Sequence, residues 1–205
     1  MRTHNAWHLA LFDAEEGDVA SALNILDACL LPASTRFTLD ACDAAALLGR
    51  LASDGIDVAS RWSQISDAFE ATLTPGFWPY VDLHAAVTHL CAGEHARVHR
   101  LTEAIAQCAQ GENFAAMRAR NITEPWIRAL KARADGRQDE AAALFSALEP
   151  VLGQAGGSRL QLQAFQNIGE QSMRTQPAIP DAHHKPLATA KVMYCDNPKL
   201  YSLQY

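Results

Sequence analysis

The sequence predicts an all-α protein, an α-solenoid of about four stacked antiparallel helical hairpins, and three observations carry that prediction. Turn-type glycines recur at Gly17, Gly55, Gly93 and Gly136, separated by 38, 38 and 43 residues, a period of the size found in stacked helical hairpins. Apolar residues recur at spacings of three and four on both sides of each glycine, which is the period of an amphipathic helix. Alanine is abundant among the larger apolar residues, and antiparallel helices approach closely only where a small residue leaves room for a neighbour's Leu, Phe or Trp. Such a stack buries one continuous seam, so the chain reads as a helical-repeat domain over 1–175 followed by an irregular or disordered tail over 176–205.

The first hairpin is expected over about 4–31, with Trp7, Ala10, Leu11 and Ala14 before Gly17, Asp18 as cap, and Val19, Ala22, Leu23, Leu26 and Leu30 after it. A second is expected over 38–73, turning at Asp54-Gly55-Ile56-Asp57, with Val58, Trp62, Ile65 and Phe69 on its returning helix. Thr74-Pro75-Gly76 then breaks the chain, and the third hairpin runs over 80–110 around Gly93. Thr123 is placed to cap the fourth, over 123–150, in which Trp126, Ala129 and Leu130 precede Gly136 and Ala141, Leu144, Phe145 and Leu148 follow it. Gln154 to Ser158 reads as a loop, 159–173 as a partial helix, and the tail, with Pro177, Pro180, Pro186 and Pro198, has no period.

Bulk properties narrow the functional classes. A net charge of -6 with no Lys/Arg cluster opposes a nucleic-acid interface, which requires a basic face. No apolar run approaches the roughly 20 residues of a membrane span, and the N-terminus carries no secretory leader, so the expected location is cytoplasmic. The five cysteines, odd in number and without a Cys-x-x-Cys pair, are expected to be reduced, Cys29, Cys42, Cys91 and Cys108 packing as small hydrophobes.

Several strings occur in a recognisable order: His4-Asn5-Ala6-Trp7-His8-Leu9-Ala10-Leu11-Phe12, the Gly17-Asp18 turn, Asp43 with Leu47-Leu48-Gly49-Arg50-Leu51, Arg61-Trp62, Asp82-Leu83-His84-Ala85 and Gly156-Gly157-Ser158. Together, over about 4–158, they resemble the C-terminal half of the tetratricopeptide repeat protein 38 family. That resemblance implies a tetratricopeptide-like solenoid without established catalytic activity. The family's first half has no counterpart here, which makes a truncated fragment of a longer repeat protein one reading and predicts an apolar end that self-associates through the N-terminal hairpin. After Gly156-Gly157-Ser158 the family places a His, where this chain has Arg159.

The candidate binding residues are His4, His8, Asp43, Arg61, Trp62, Asp82 and His84. His4 and His8 share a helical face at the spacing two imidazoles need for one metal, yet a third ligand would have to come from Asp43 or His84, and the Glu of a His-Glu-x-x-His motif is missing. The plainer reading has His8 pointing between helices and hydrogen-bonded to a carbonyl or to Asp43. Arg61 is expected to pair with Asp43 or Asp82 across the groove, or to anchor a carboxylate. Asp82 and His84 lie some 200° apart around a helix, so they form no acid–base pair, and Asp82 reads as the cap of a helix starting at Leu83 or His84. Gly156-Gly157-Ser158 lacks the context of a phosphate loop. The sequence therefore assigns no catalytic residue, metal or cofactor. Its first functional reading is an interaction module whose concave face engages a protein or peptide; its second is a small-ligand or metal-binding protein or enzyme using the same residues.

Overall fold

A computed structural model describes residues 2–70, 75–163 and 165 of the chain. The expected tail over 176–205 and most of the expected helix over 159–173 lie outside these residues; within them, 159–163 is helical. The fold is all-helical, with no strand among the described residues.

Among the described residues, ten α-helices precede the helical segment at 159–163: α1 Arg2–Glu15, α2 Val19–Ile25, α3 Leu31–Ser34, α4 Thr38–Ser53, α5 Trp62–Glu70, α6 Pro79–Cys91, α7 His95–Ala109, α8 Phe114–Arg118, α9 Glu124–Ala134 and α10 Gln138–Leu152. Four turns between them are copies of one another. Gly17, Gly55, Gly93 and Gly136 have φ of +84°, +83°, +75° and +77°, the left-handed conformation that glycine adopts without steric cost. In each, the next residue's N–H reaches back to a carbonyl of the finished helix: Asp18 to Asp13 at 2.8 Å, Ile56 to Leu51 at 2.9 Å, Glu94 to His89 at 2.8 Å and Arg137 to Ala132 at 2.9 Å. This is the Schellman termination, which satisfies helix-end carbonyls and reverses the chain.

The helices that precede these glycines neighbour one another in series: α1 packs on α4, α4 on α6 and α6 on α9, while each also packs on the helix following its own turn. α6 is enclosed on all sides, so that every residue from Pro79 to His89 is buried. Alanines on α4 (Ala41, Ala44, Ala45, Ala46) are all buried and allow its close approach to neighbours.

Two rods contain a feature the periodicity does not announce. α2 and α3 are joined by a π turn, Leu26–Leu30, closed by the Leu31 N–H on the Leu26 carbonyl; α8 and α9 are joined by a second, Ala119–Thr123, closed by the Glu124 N–H on the Ala119 carbonyl. Each stands two residues ahead of a proline, Pro32 and Pro125. Proline lacks an N–H and its ring strikes the carbonyl four residues back; widening the turn accommodates both defects and keeps the rod continuous.

That continuity corrects the expected cap at Thr123, which is buried with helical φ and ψ and makes no capping bond. The helix begins nine residues earlier, at Phe114, where the Asn113 side chain accepts from the Ala116 N–H at 2.8 Å. Asp82 likewise is no cap: α6 starts at Pro79 behind Trp78, because proline is pre-formed for the first helical turn. Among the cysteines, Cys42, Cys91 and Cys108 are free, Cys42 buried and Cys91 exposed. Cys29 is disulfide-bonded, which corrects the expected free thiol there.

Candidate functional site

The seven candidate residues do not gather into one site. His4, not His8, makes the contact between first helices: its Nδ1 lies 2.9 Å from Asp43 Oδ2, joining α1 to α4. The other Asp43 oxygen, Oδ1, accepts from Gln161 Nε2 at 2.8 Å. Asp43 is thus buried and satisfied on both oxygens, as a buried carboxylate must be. His8 is exposed, its ring edge-on to His4 with centroids 4.7 Å apart and 4.7 Å from Trp7. One helical turn decides the matter, since residue 4 faces α4 and residue 8 has rotated past it.

Arg61 meets neither Asp43 nor Asp82. Its guanidinium is bidentate to Asp27, at 2.7 and 2.8 Å, a fork-to-fork geometry that ties the turn before α5 back to the first π turn. Its neighbour Trp62 is buried and walls a cavity of about 280 Å³ at the C-terminal ends of α4, α6 and α9. Val87, Leu90 and Leu130 supply further apolar wall, while Cys91 and Arg133 reach the same space.

Asp82 and His84 are both buried on α6 but face different neighbours. Asp82 Oδ2 accepts from the Gly76 N–H at 3.1 Å, folding the 75–78 segment onto the helix start. Burial pushes its carboxyl up to about 7, against the pull of the Gly76 N–H and the Arg118 charge. His84 Nδ1 donates to the Tyr80 carbonyl at 2.7 Å, and burial lowers its imidazole to about 4. Nε2 of this neutral ring is buried without a hydrogen-bond partner among the described residues, between the Tyr80 and Phe165 rings, each with its centroid 4.5 Å away.

Sequence reasoning missed a polar hub on the far side of α6. The buried Ser66 hydroxyl lies 2.7 Å from His89 Nδ1, accepts from Arg97 at 3.1 Å and donates to the Glu94 carboxylate. Here the histidine and the carboxylate both meet the serine, whereas a nucleophilic triad places the histidine between the other two. With Ser66 fully buried, the hub pins the Gly93 turn to α5. No group of three or more metal-ligating side chains comes together among the described residues.

A second feature without a sequence signal is a set of exposed apolar residues on two segments, the one before α6 and α8. Phe77 is 72 % and Phe114 68 % exposed, with Trp78 and Met117 also exposed. The 153–157 loop brings the two segments together: Arg118 donates to the Gln154 and Ala155 carbonyls at 2.6 and 3.0 Å. A Cβ on the adjoining Gly156 would fall 2.8 Å from Trp78 Nε1. Arg118 also lies over the Phe114 ring, 5.4 Å from its centroid.

No helix among the described residues is long and apolar enough to cross a membrane. No protein-family model matches the chain, and no solved structure matches it.

Proposed function

We propose that the protein is a helical-repeat interaction module, a tetratricopeptide-like solenoid that docks a protein or peptide partner. The observation that carries this reading is the exposure of Phe77, Trp78, Phe114 and Met117 on two segments that both lie against the 153–157 loop through Trp78 and Arg118. Aromatic residues, Met and Arg are the types enriched in interface cores, and large apolar side chains left exposed on a folded domain favour a docking surface. The four identical glycine terminations in series support the solenoid reading and agree with the resemblance to the tetratricopeptide repeat protein 38 family. Asp43, Asp82 and His84 are engaged in bonds between or within helices, which favours a structural role for them over acid–base chemistry.

Photo-crosslinking tests it. A benzoylphenylalanine at position 77 or 114 is expected to capture a discrete partner that the same group at the exposed His99 position does not, and Phe114→Ser is expected to abolish capture from position 77. A product of twice the chain mass identifies the partner as a second copy. Identical products from 77, 114 and 99 would remove the reading.

A further inference from the structure

His4 and His8 stand one turn apart on α1, and their rings meet with centroids 4.7 Å apart at 80°. We propose that this pair binds a divalent transition-metal ion of the zinc type through both imidazoles, with water completing the coordination and Asp43 holding His4 in the ligating tautomer. The described residues bring no third protein ligand to the pair, so Asp43 acts from behind His4 rather than on the ion. The inference goes beyond the interaction reading and uses none of the residues that carry it.

Four observations converge on this pair. Two imidazole nitrogens each about 2.0–2.1 Å from one ion put their ring centroids roughly 4.5–5.2 Å apart at right-angled to tetrahedral coordination, and the rings already stand at that separation. Asp43, its side chain only 5 % exposed, accepts from His4 Nδ1 at 2.9 Å. A carboxylate only accepts, so the ring hydrogen sits on Nδ1 and the Nε2 lone pair is left for a metal, the carboxylate–histidine arrangement that orients metal ligands. Trp7 lies against both rings, stacked on His4 at 5.2 Å and edge-on to His8 at 4.7 Å, which limits their orientations. A second acid of α4, Asp40, acts electrostatically on His4, so the field here favours a cation. Imidazole ligands select zinc, copper or nickel over magnesium and calcium.

The α7 helix supplies an internal reference, because His95 and His99 repeat the same spacing with both side chains exposed and His99 backed only by Glu103, itself 68 % exposed. The test is diethylpyrocarbonate modification of the full chain, resolved histidine by histidine by fragment mass spectrometry, as Zn2+ or Mg2+ is titrated. Zn2+ is expected to protect His4 and His8 together, at concentrations at least roughly tenfold below those that protect His99, and Mg2+ to protect none of them. In His8→Ala, which removes an exposed side chain, protection of His4 is expected to need roughly tenfold more Zn2+ or above, as is protection of His8 in His4→Ala.

Asp43→Asn isolates the part played by the carboxylate. The Ser158 N–H donates to Gln161 Oε1, so the Gln161 amide must keep its N–H2 toward position 43 and the asparagine must turn its oxygen to Gln161 and its own N–H2 to His4. That moves the ring hydrogen from Nδ1 to Nε2, and Zn2+ protection of His4 and His8 is expected to weaken by roughly tenfold or more with helix content unchanged. If His4→Ala or Asp43→Asn does not fold, His8→Ala and the contrast between α1 and α7 decide. Equal protection of His8 and His99 would mean an adventitious ion only. That result, His4 protection undiminished in His8→Ala, or unweakened protection in folded Asp43→Asn would overturn the proposal.

Discussion

Gln161 donates its side-chain amide to Asp43 across 2.8 Å, joining positions 118 residues apart in the chain. Through Asp43, the segment after α10 is bonded to the same carboxylate that holds His4 of α1, so both ends of the described fold converge on one buried acid.

Asp43→Ala is expected to cost about 1–3 kcal/mol, because it strips the acceptor from a buried amide and leaves a cavity on α4. His8→Ala is expected to stay within about 0.5 kcal/mol, since His8 is exposed. Urea denaturation of both variants measures the difference; equal costs would contradict the placement of His4 and His8.

Asp82 and His84 make opposing contributions to the pH dependence of stability. Asp82 titrates at about 7 when folded against ~3.9 unfolded, so the folded state holds the extra proton and stability falls as pH rises from about 4 to about 7. His84 titrates at about 4 when folded against ~6.5 unfolded, so the unfolded state holds the extra proton and stability rises over about pH 4 to 6.5. Each slope reaches about 1.4 kcal/mol per pH unit at most, and in the parent they offset. Asp82→Asn is expected to unmask the rise and His84→Gln the fall, read as denaturation midpoints across pH 4–7. Three superimposable profiles would refute the assignment.

Two glycines of the same φ sign should respond unequally to alanine. Gly17, at φ +84°, has no atom within 4 Å of an added Cβ, so Gly17→Ala is expected to cost only the left-handed penalty of about 1–2 kcal/mol. Gly157, at φ +88°, would place its Cβ 2.5 Å from Tyr80 Cε2, and Gly157→Ala is expected to cost more, with Tyr80 displaced. Thermal unfolding of the pair distinguishes strain alone from strain plus collision.

Ser66→Ala removes the hydroxyl shared by His89, Glu94 and Arg97. The Arg97–Glu94 pair survives it, at 3.1 Å, so the expected loss is about 1–3 kcal/mol from the buried His89 nitrogen, accompanied by faster amide exchange at the Gly93 turn. Unchanged exchange there would show that the hub does not pin the turn.

What the sequence makes legible is local. The glycine terminations depend on the sign of one φ and on helices of one period, both written in adjacent residues. The helix starts were misjudged where a proline changed the geometry: Pro79 begins α6 before Asp82, and Pro125 calls for a π turn rather than a start at Thr123. A proline within an otherwise helical period was the available signal for both π turns. The partners of Arg61 and Asp43 lie 34 and 118 residues away, and no period encodes which face meets which neighbour over such distances. The relation between the two exposed aromatic segments is hidden for the same reason, as Trp78 and Arg118 meet the same 153–157 loop across long stretches of chain.

The π turn at Ala119–Thr123 holds one residue more than an α turn would, so every side chain after it is advanced by about 100° around the rod. Trp126 owes to that advance its burial against Phe145 and Phe165. Deleting a single residue from 119–123 would restore an uninterrupted helix, press the Pro125 ring onto the carbonyl behind it and turn the indole away from both rings. The phase of this helix surface is therefore stored as a chain-length difference of one, and evolution can reset which face meets α6 and α10 by one codon gained or lost, without exchanging any side chain on it.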